Sequence, residues 1–289
     1  MTDAYRQLLD ATIAHVQGLK AASVRHLSVA PETLAALAAP APRRREPSTS
    51  TVAPSNLPLS MPAKPAAKKT APVVSTVSTP VADTKAAAMA ELRARVLPCV
   101  KCAHLASSRT QVVFGIGDIH APLMFVGEAP GADEDEQGEP FIGKAGQLLT
   151  KIIQAMGLSR ETVYIANILK CRPDTPGQTA GNRKPTPAEM DTCKPYLLEQ
   201  IRIIQPRAIV ALGATATDGL LGKTEGITKL RGRWQEFYGT PLMPTYHPAY
   251  LLRNQALREK RKVWEDMLLV LEKLAMPISE KQRGYFLKP

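Results

Sequence analysis

The chain has 289 residues, is 44% apolar and carries a formal charge of +11, so one or two domains with a buried core are within reach and an anionic partner such as nucleic acid is favoured. No apolar run approaches the roughly 20 residues needed to span a bilayer, and Met1-Thr2-Asp3-Ala4-Tyr5-Arg6 lacks a basic stretch followed by an apolar one. A cytoplasmic protein with no membrane role is expected, and there the four cysteines lean towards metal rather than disulfides.

Residues 1–38 space Leu8, Leu9, Ile13, Val16 and Leu19 at helical intervals, which predicts a short helical N-terminal segment. From residue 39 to 86 the chain turns to Pro, Ala, Ser, Thr, Val and Lys, with Arg43-Arg44-Arg45 and Lys68-Lys69 making it basic. No Phe, Trp or Tyr occurs between Tyr5 and Phe114. Such a stretch buries too little apolar surface to offset its chain entropy, so a disordered linker is expected. The basic charge is not confined to it: residues 1–98 carry 12 Lys/Arg against 6 Asp/Glu, and the remainder 25 against 20.

Residues 87–276 alternate strand and helix patterns, followed by a C-terminal tail at 277–289. Leu123-Met124-Phe125-Val126 is an apolar strand ending in a Gly/Pro loop, and a helix from Leu148 to Met156 stops at Gly157. Val163-Tyr164-Ile165-Ala166-Asn167 is a second strand. Thr186-Pro187-Ala188-Glu189 combines a cap, a proline in the first turn and an acid three residues on, opening a helix to about Gln205. Ala208–Leu212 is a third strand, entering a helix at Gly213. Leu242-Met243-Pro244-Thr245-Tyr246 is a fourth, which Pro244 assigns to a sheet edge. A last helix covers about Ala256 to Leu274. The alternation implies an α/β fold, a mainly parallel four-stranded sheet between helical layers. Ligands of such sheets bind beyond the carboxyl ends of the strands.

Three polar groups sit at those ends: the Gly127-Glu128-Ala129-Pro130-Gly131 loop, Asn167 and His247. The loop is not the G-x-G-x-x-G of dinucleotide sites, but its glycines allow backbone N–H groups to face a ligand. Phe141 lies within the glycine-rich run 138–146, where an aromatic ring can stack on a base. An asparagine amide offers one donor and one acceptor to a pyrimidine edge, and a histidine can donate to a developing oxyanion. Taken singly, each is more often structural; their shared place at strand ends argues for a site. Pro98-Cys99-Val100-Lys101-Cys102 matches half of a zinc deaminase signature, but no upstream histidine has the H-x-E form. Four cysteines without a nearby histidine ligand suit zinc or an iron–sulfur cluster.

Read in order, G-E-A-P-G, then E-D-x-x-G-x-P-F-x-G-x-A-G, a strand ending in Asn before K-C-R-P, and H-P-x-x-L-L-R resemble family 4 uracil-DNA glycosylases over about residues 95–275. The resemblance implies the three-layer uracil-DNA glycosylase fold and a repair enzyme that flips uracil out of single- or double-stranded DNA and hydrolyses its N-glycosidic bond. It implies that Phe141 stacks on the base beside Gly127, that Asn167 reads its polar edge, and that His247 stabilises charge on the departing O2. Glu128 would position or activate water, and Glu134 would fill the space beside C5 to exclude thymine. Cys99, Cys102, Cys171 and Cys193 would ligate a [4Fe–4S] cluster, with zinc as the alternative. Lys170, Arg172 and Arg253 would touch DNA phosphates. A monomer is expected, with repair or replication partners meeting the N-terminal region. Departures from the pattern are Ala129, where other uracil glycosylase families carry Asp or Asn, and the insert Thr175 to Lys184. The competing readings are a non-catalytic DNA-binding module of the same fold and a redox-sensing one.

Overall fold

Strand residues that alternate between two covered faces read as unbroken apolar runs. In the computed structural model, which describes residues 84–174, 183–222 and 225–287, this is how the central strands behave. β1 (Ile116–Gly117), β2 (Leu123–Gly127), β3 (Tyr164–Asn167), β4 (Ala208–Leu212), β5 (Gln235–Phe237) and β6 (Thr240–Thr245) form a sheet in the order β1-β3-β2-β4-β6-β5 among the described residues. β3, β2, β4 and β6 are mutually parallel, whereas β1 and β5 run antiparallel at the two edges. The sheet is therefore mixed, with the expected four parallel strands at its centre. The edge strands escape sequence reading because they are only 2 and 3 residues long.

Helices cover both faces. Met124, Val126, Ala166, Ile209 and Ala211 pack on one side against α1 (Thr84–Val96), α2 (Ala103–Ser108), α5 (Pro187–Ile204) and α6 (Ala214–Leu221). Leu123, Phe125, Ile165, Val210 and Met243 face the other way, towards α4 (Lys144–Ala155) and α9 (Leu257–Lys273). Successive strand residues point to opposite faces, so both cores draw on the same strands. The remaining helices are the short α3 (Ala132–Gln137), α7 (Ile227–Leu230), α8 (Pro248–Arg253) and α10 (Glu280–Arg283). Among the described residues no helix is long and apolar enough to cross a membrane.

Local signals are met closely at α5. Thr186 caps it by accepting from the Glu189 N–H, Glu189 returns a bond to the Thr186 N–H at 2.7 Å, and Pro187 opens the first turn. Glu189 is buried and also bonded by Arg183 and His104; the Arg183 bond leads in holding its carboxyl down at about 2. The Arg183 contact thereby ties the end of the 175–184 insert to α5.

Pro244 corrects the edge assignment made for its strand. β6 is interior in the strand order, between β4 and β5. The proline is tolerated because β5 pairs only with residues 240–242, so Pro244 opposes Ala211 on one side and no β5 residue on the other. α1 begins inside the stretch assigned to the linker, and the rest of residues 1–83, with the expected N-terminal helix, lies outside the described residues. The C-terminal tail folds back on the domain: Trp264 donates to the Gln282 carbonyl at 2.6 Å, and Gln282 donates to the Ala155 carbonyl at 2.9 Å.

Candidate active site and cysteine cavity

Register brings the site together. Gly127 at the end of β2 pairs with Asn167 at the end of β3, and Leu212 at the end of β4 pairs with Thr245 at the end of β6. His247 follows two residues later. Four parallel strands thus finish on one edge, where the loops after them meet.

Gly127 is the meeting point. A Cβ placed on it would lie 2.4 Å from both Asn167 Oδ1 and Phe141 Cζ, so only glycine leaves room for the ring and the amide. The Phe141 and His247 rings lie 5.8 Å apart between centroids, tilted by 34°. Gly213, at φ 93°, gives His247 the same clearance: a Cβ there would sit 2.9 Å from that of the histidine. Asn167 is 2% exposed, and its Oδ1 has no hydrogen-bond partner among the described residues. A buried amide oxygen without a partner is costly unless a ligand completes it.

The tautomer of His247 follows from its place as the N-cap of α8. Its Nδ1 accepts the Ala249 N–H at 3.1 Å, which leaves the ring proton on Nε2. Burial, with help from the Arg253 charge, lowers its pKa to about 4, against a small opposing effect of Glu134. The ring is therefore a neutral N–H donor at physiological pH.

The other expected residues fall in different settings. Glu128 is half-buried directly after β2, with its backbone carbonyl accepting the Leu169 N–H. Glu134, expected beside the C5 edge of a pyrimidine, has both carboxylate oxygens bonded to backbone: Oε1 accepts the Ile142 and Gly143 N–H groups at 3.0 Å, and Oε2 that of Gly131. Arg253 is exposed at the end of α8, and Arg172 is half-exposed after β3. Lys170 is a correction. It is 1% exposed, and its Nζ donates inward to the Asn167 carbonyl at 3.0 Å and to Gln200 Oε1 at 2.6 Å. It cannot reach a phosphate, because the lysine stem points into the layer under α5. Burial lowers its pKa to about 8. Gln200 and Arg160, the latter donating to the Pro140 and Phe141 carbonyls, carry no sequence signal, since their partners are distant in the chain.

All four cysteines line one small cavity, together with Arg109, Leu169 and Tyr196. The Arg109 guanidinium donates to Cys171 Sγ at 3.0 Å, Tyr196 to Cys99 Sγ at 3.4 Å, and the Lys170 backbone N–H to Cys193 Sγ at 3.3 Å. Burial pushes the Cys193 thiol up to about 11. Four cysteines on one cavity, with donors aimed at three of the sulfurs, have the chemistry of a ligand set that a metal centre would hold as thiolates, although among the described residues no three ligating side chains already stand close enough to grip a metal ion.

Comparison with known proteins agrees with this geometry. Residues 114–268 match the family model of the uracil DNA glycosylase superfamily. A type-4 uracil-DNA glycosylase of Thermotoga maritima is 47% identical over 176 residues, 60% of this chain and 88% of the relative. Another from Sulfurisphaera tokodaii is 40% identical over 206 residues, 68% of this chain and 89% of the relative. One from Archaeoglobus fulgidus is 41% identical, over 57% of this chain and 83% of the relative. The chain belongs to the uracil DNA glycosylase superfamily, in its type-4 branch.

Proposed function

We infer that this chain is a DNA-repair hydrolase that cleaves the N-glycosidic bond of uracil in DNA and leaves an abasic site. The observation that carries the reading is the convergence, around Gly127, of an unpartnered buried amide oxygen, an aromatic ring and a neutral histidine N–H.

Each group has a distinct task. A base must leave the stack to reach this depth, at a cost of about a few kcal/mol, less from single strands. Phe141 gives it a stacking surface. Asn167 Oδ1 accepts from N3–H of uracil while its NH2 donates to O4; cytosine presents the opposite pattern, an acceptor at N3 and a donor at C4, and is rejected. As the glycosidic bond breaks, electron density moves onto the uracil ring and collects at O2. His247 Nε2–H is the donor for that oxygen, and one such donor is worth about 10²–10³ in rate. A neutral donor has an advantage: it strengthens as charge develops, without having to hold a cation in a buried site. Glu128 directs the water that adds to the sugar carbon.

Cys99, Cys102, Cys171 and Cys193 hold a [4Fe–4S] cluster. When bound it supplies a covalent tie between the N-terminal helices, the loop after β3 and α5, and so steadies the segment that carries Asn167. Arg172 and Arg253 contact phosphates. The protein works as a cytoplasmic monomer, and its N-terminal region serves repair or replication partners.

The test is alkali-revealed strand cleavage of single-uracil oligonucleotides, single- and double-stranded, by protein purified without oxygen, with a thymine control. Cleavage at uracil alone supports the reading. No cleavage by protein with its metal content intact would replace it with a DNA-binding module.

A further inference from the structure

Phe141 has a backbone φ of 56°, in the left-handed region that a non-glycine aromatic rarely adopts. Nothing in a ring's own preference holds it there, so its surroundings must. Two charged side chains from different elements do so. Arg160, from the loop after α4, donates through Nη1 to the Phe141 carbonyl at 2.9 Å and through Nη2 to the Pro140 carbonyl at 2.8 Å. Glu134, in α3, accepts the Ile142 and Gly143 N–H groups, each at 3.0 Å. The Phe141 carbonyl and the Ile142 N–H belong to one peptide group. That peptide is gripped at its oxygen by a guanidinium and at its nitrogen by a carboxylate. Gly146 completes the seat, since a Cβ on it would come within 1.9 Å of the Phe141 carbonyl.

The geometry points to Arg160 and Glu134 as a pair of positioning residues that clamp the Phe141–Ile142 peptide and so set the stacking platform for the flipped base. The inference rests on the glycosylase reading for its consequence, but not for the clamp itself. The charges suit the task. A single arm would fix one end of the peptide and leave it free to rotate about the bonds on either side. Opposed arms fix its plane, and with it the direction of the Phe141 side chain over Gly127. Neither residue touches the reacting atoms; both act through the ring.

The experiment uses the full chain with Arg160→Met, Arg160→Lys and Glu134→Met, the last because a glutamine would keep the oxygen that accepts both N–H groups. It reads kcat and KM on a single-uracil oligonucleotide, inhibition by free uracil, iron content, and amide hydrogen exchange at residues 139–143. Arg160→Met and Glu134→Met are expected to speed exchange there. They should also lower kcat and weaken free-uracil inhibition by about tenfold to a hundredfold, the scale of a misplaced contact, with KM for DNA and iron content near wild type. Arg160→Lys, which keeps the charge but not the planar fork, should fall between. Wild-type kcat and uracil inhibition in the folded variants would overturn the inference, as would unchanged exchange. If Arg160→Met fails to fold, the other two variants decide. A wild type that neither cleaves nor binds uracil would sink the glycosylase reading instead, and exchange alone would then judge the clamp.

Discussion

Acidification isolates the protonation state of His247. Burial first, and then Arg253, take its pKa from 6.5 down to about 4. At pH 5 a histidine of ordinary pKa would be about 97% protonated, whereas one at 4 would be about 9% protonated. Excision that depends on neutral His247 should therefore keep about nine-tenths of its rate at pH 5 rather than a few per cent. Stability follows the same equilibrium. Between pH 6.5 and about 4 the unfolded chain binds a proton at this residue that the folded chain does not. Stability from this group thus rises with pH through that window, is complete above it, and is lost as pH falls towards the folded value. The swing is at most about 3 kcal/mol. The assay is single-turnover cleavage of a single-stranded uracil oligonucleotide across pH, beside NMR titration of the histidine rings. A rate that halves near pH 6.5, with the His247 ring titrating there, would refute the lowered pKa, and a rate that stays level through the ring's own titration would refute the neutral-donor argument.

Gly127→Ala should abolish uracil excision, by at least about a hundredfold in kcat/KM, because its methyl would fall 2.4 Å from both Phe141 and Asn167; folding measured by thermal denaturation should survive. Arg253→Gln should reduce the slope of log affinity against log salt by about 1, whereas Lys170→Met should leave that slope unchanged. The Lys170 change should instead cost about 1–3 kcal/mol in denaturant unfolding, because the Asn167 carbonyl and Gln200 lose their donor. Cys193→Ser should lower both iron and labile sulfide content and the thermal midpoint together; full retention of iron would remove that residue from the ligand set. Arg231→Met should destabilise by about 3–5 kcal/mol, since Asp266 is wholly buried against it. Burial already lifts the Asp266 pKa to about 6, so this loss should shrink as pH falls below that value.

Much of this protein could be read from local chemistry. The four central strands announce themselves as short apolar runs, and the start of α5 is written in Thr186, Pro187 and Glu189, because caps and periodicity involve neighbours in the chain. The candidate site residues Gly127, Asn167 and His247 were also legible, each in a motif at a strand end, and Phe141 in the glycine-rich run 138–146. What only the tertiary structure decided depends on groups far apart in sequence. Lys170 reads as a surface cation beside Arg172, yet it is buried because α5 lays Gln200 over it, 30 residues later. Pro244 reads as an edge residue, yet it sits inside the sheet because β5 stops short of it. Glu134 reads as a group beside the base and Arg160 carries no signal at all, and their grip on one peptide arises only when α3 and the loop after α4 meet the segment around Phe141. The histidine itself is visible in the sequence, but its neutrality is not: it comes from the depth of the pocket and then the Arg253 charge, while the Ala249 N–H fixes the tautomer. Residue type and spacing are local, whereas burial, register and the fields they create exist only once the chain has closed.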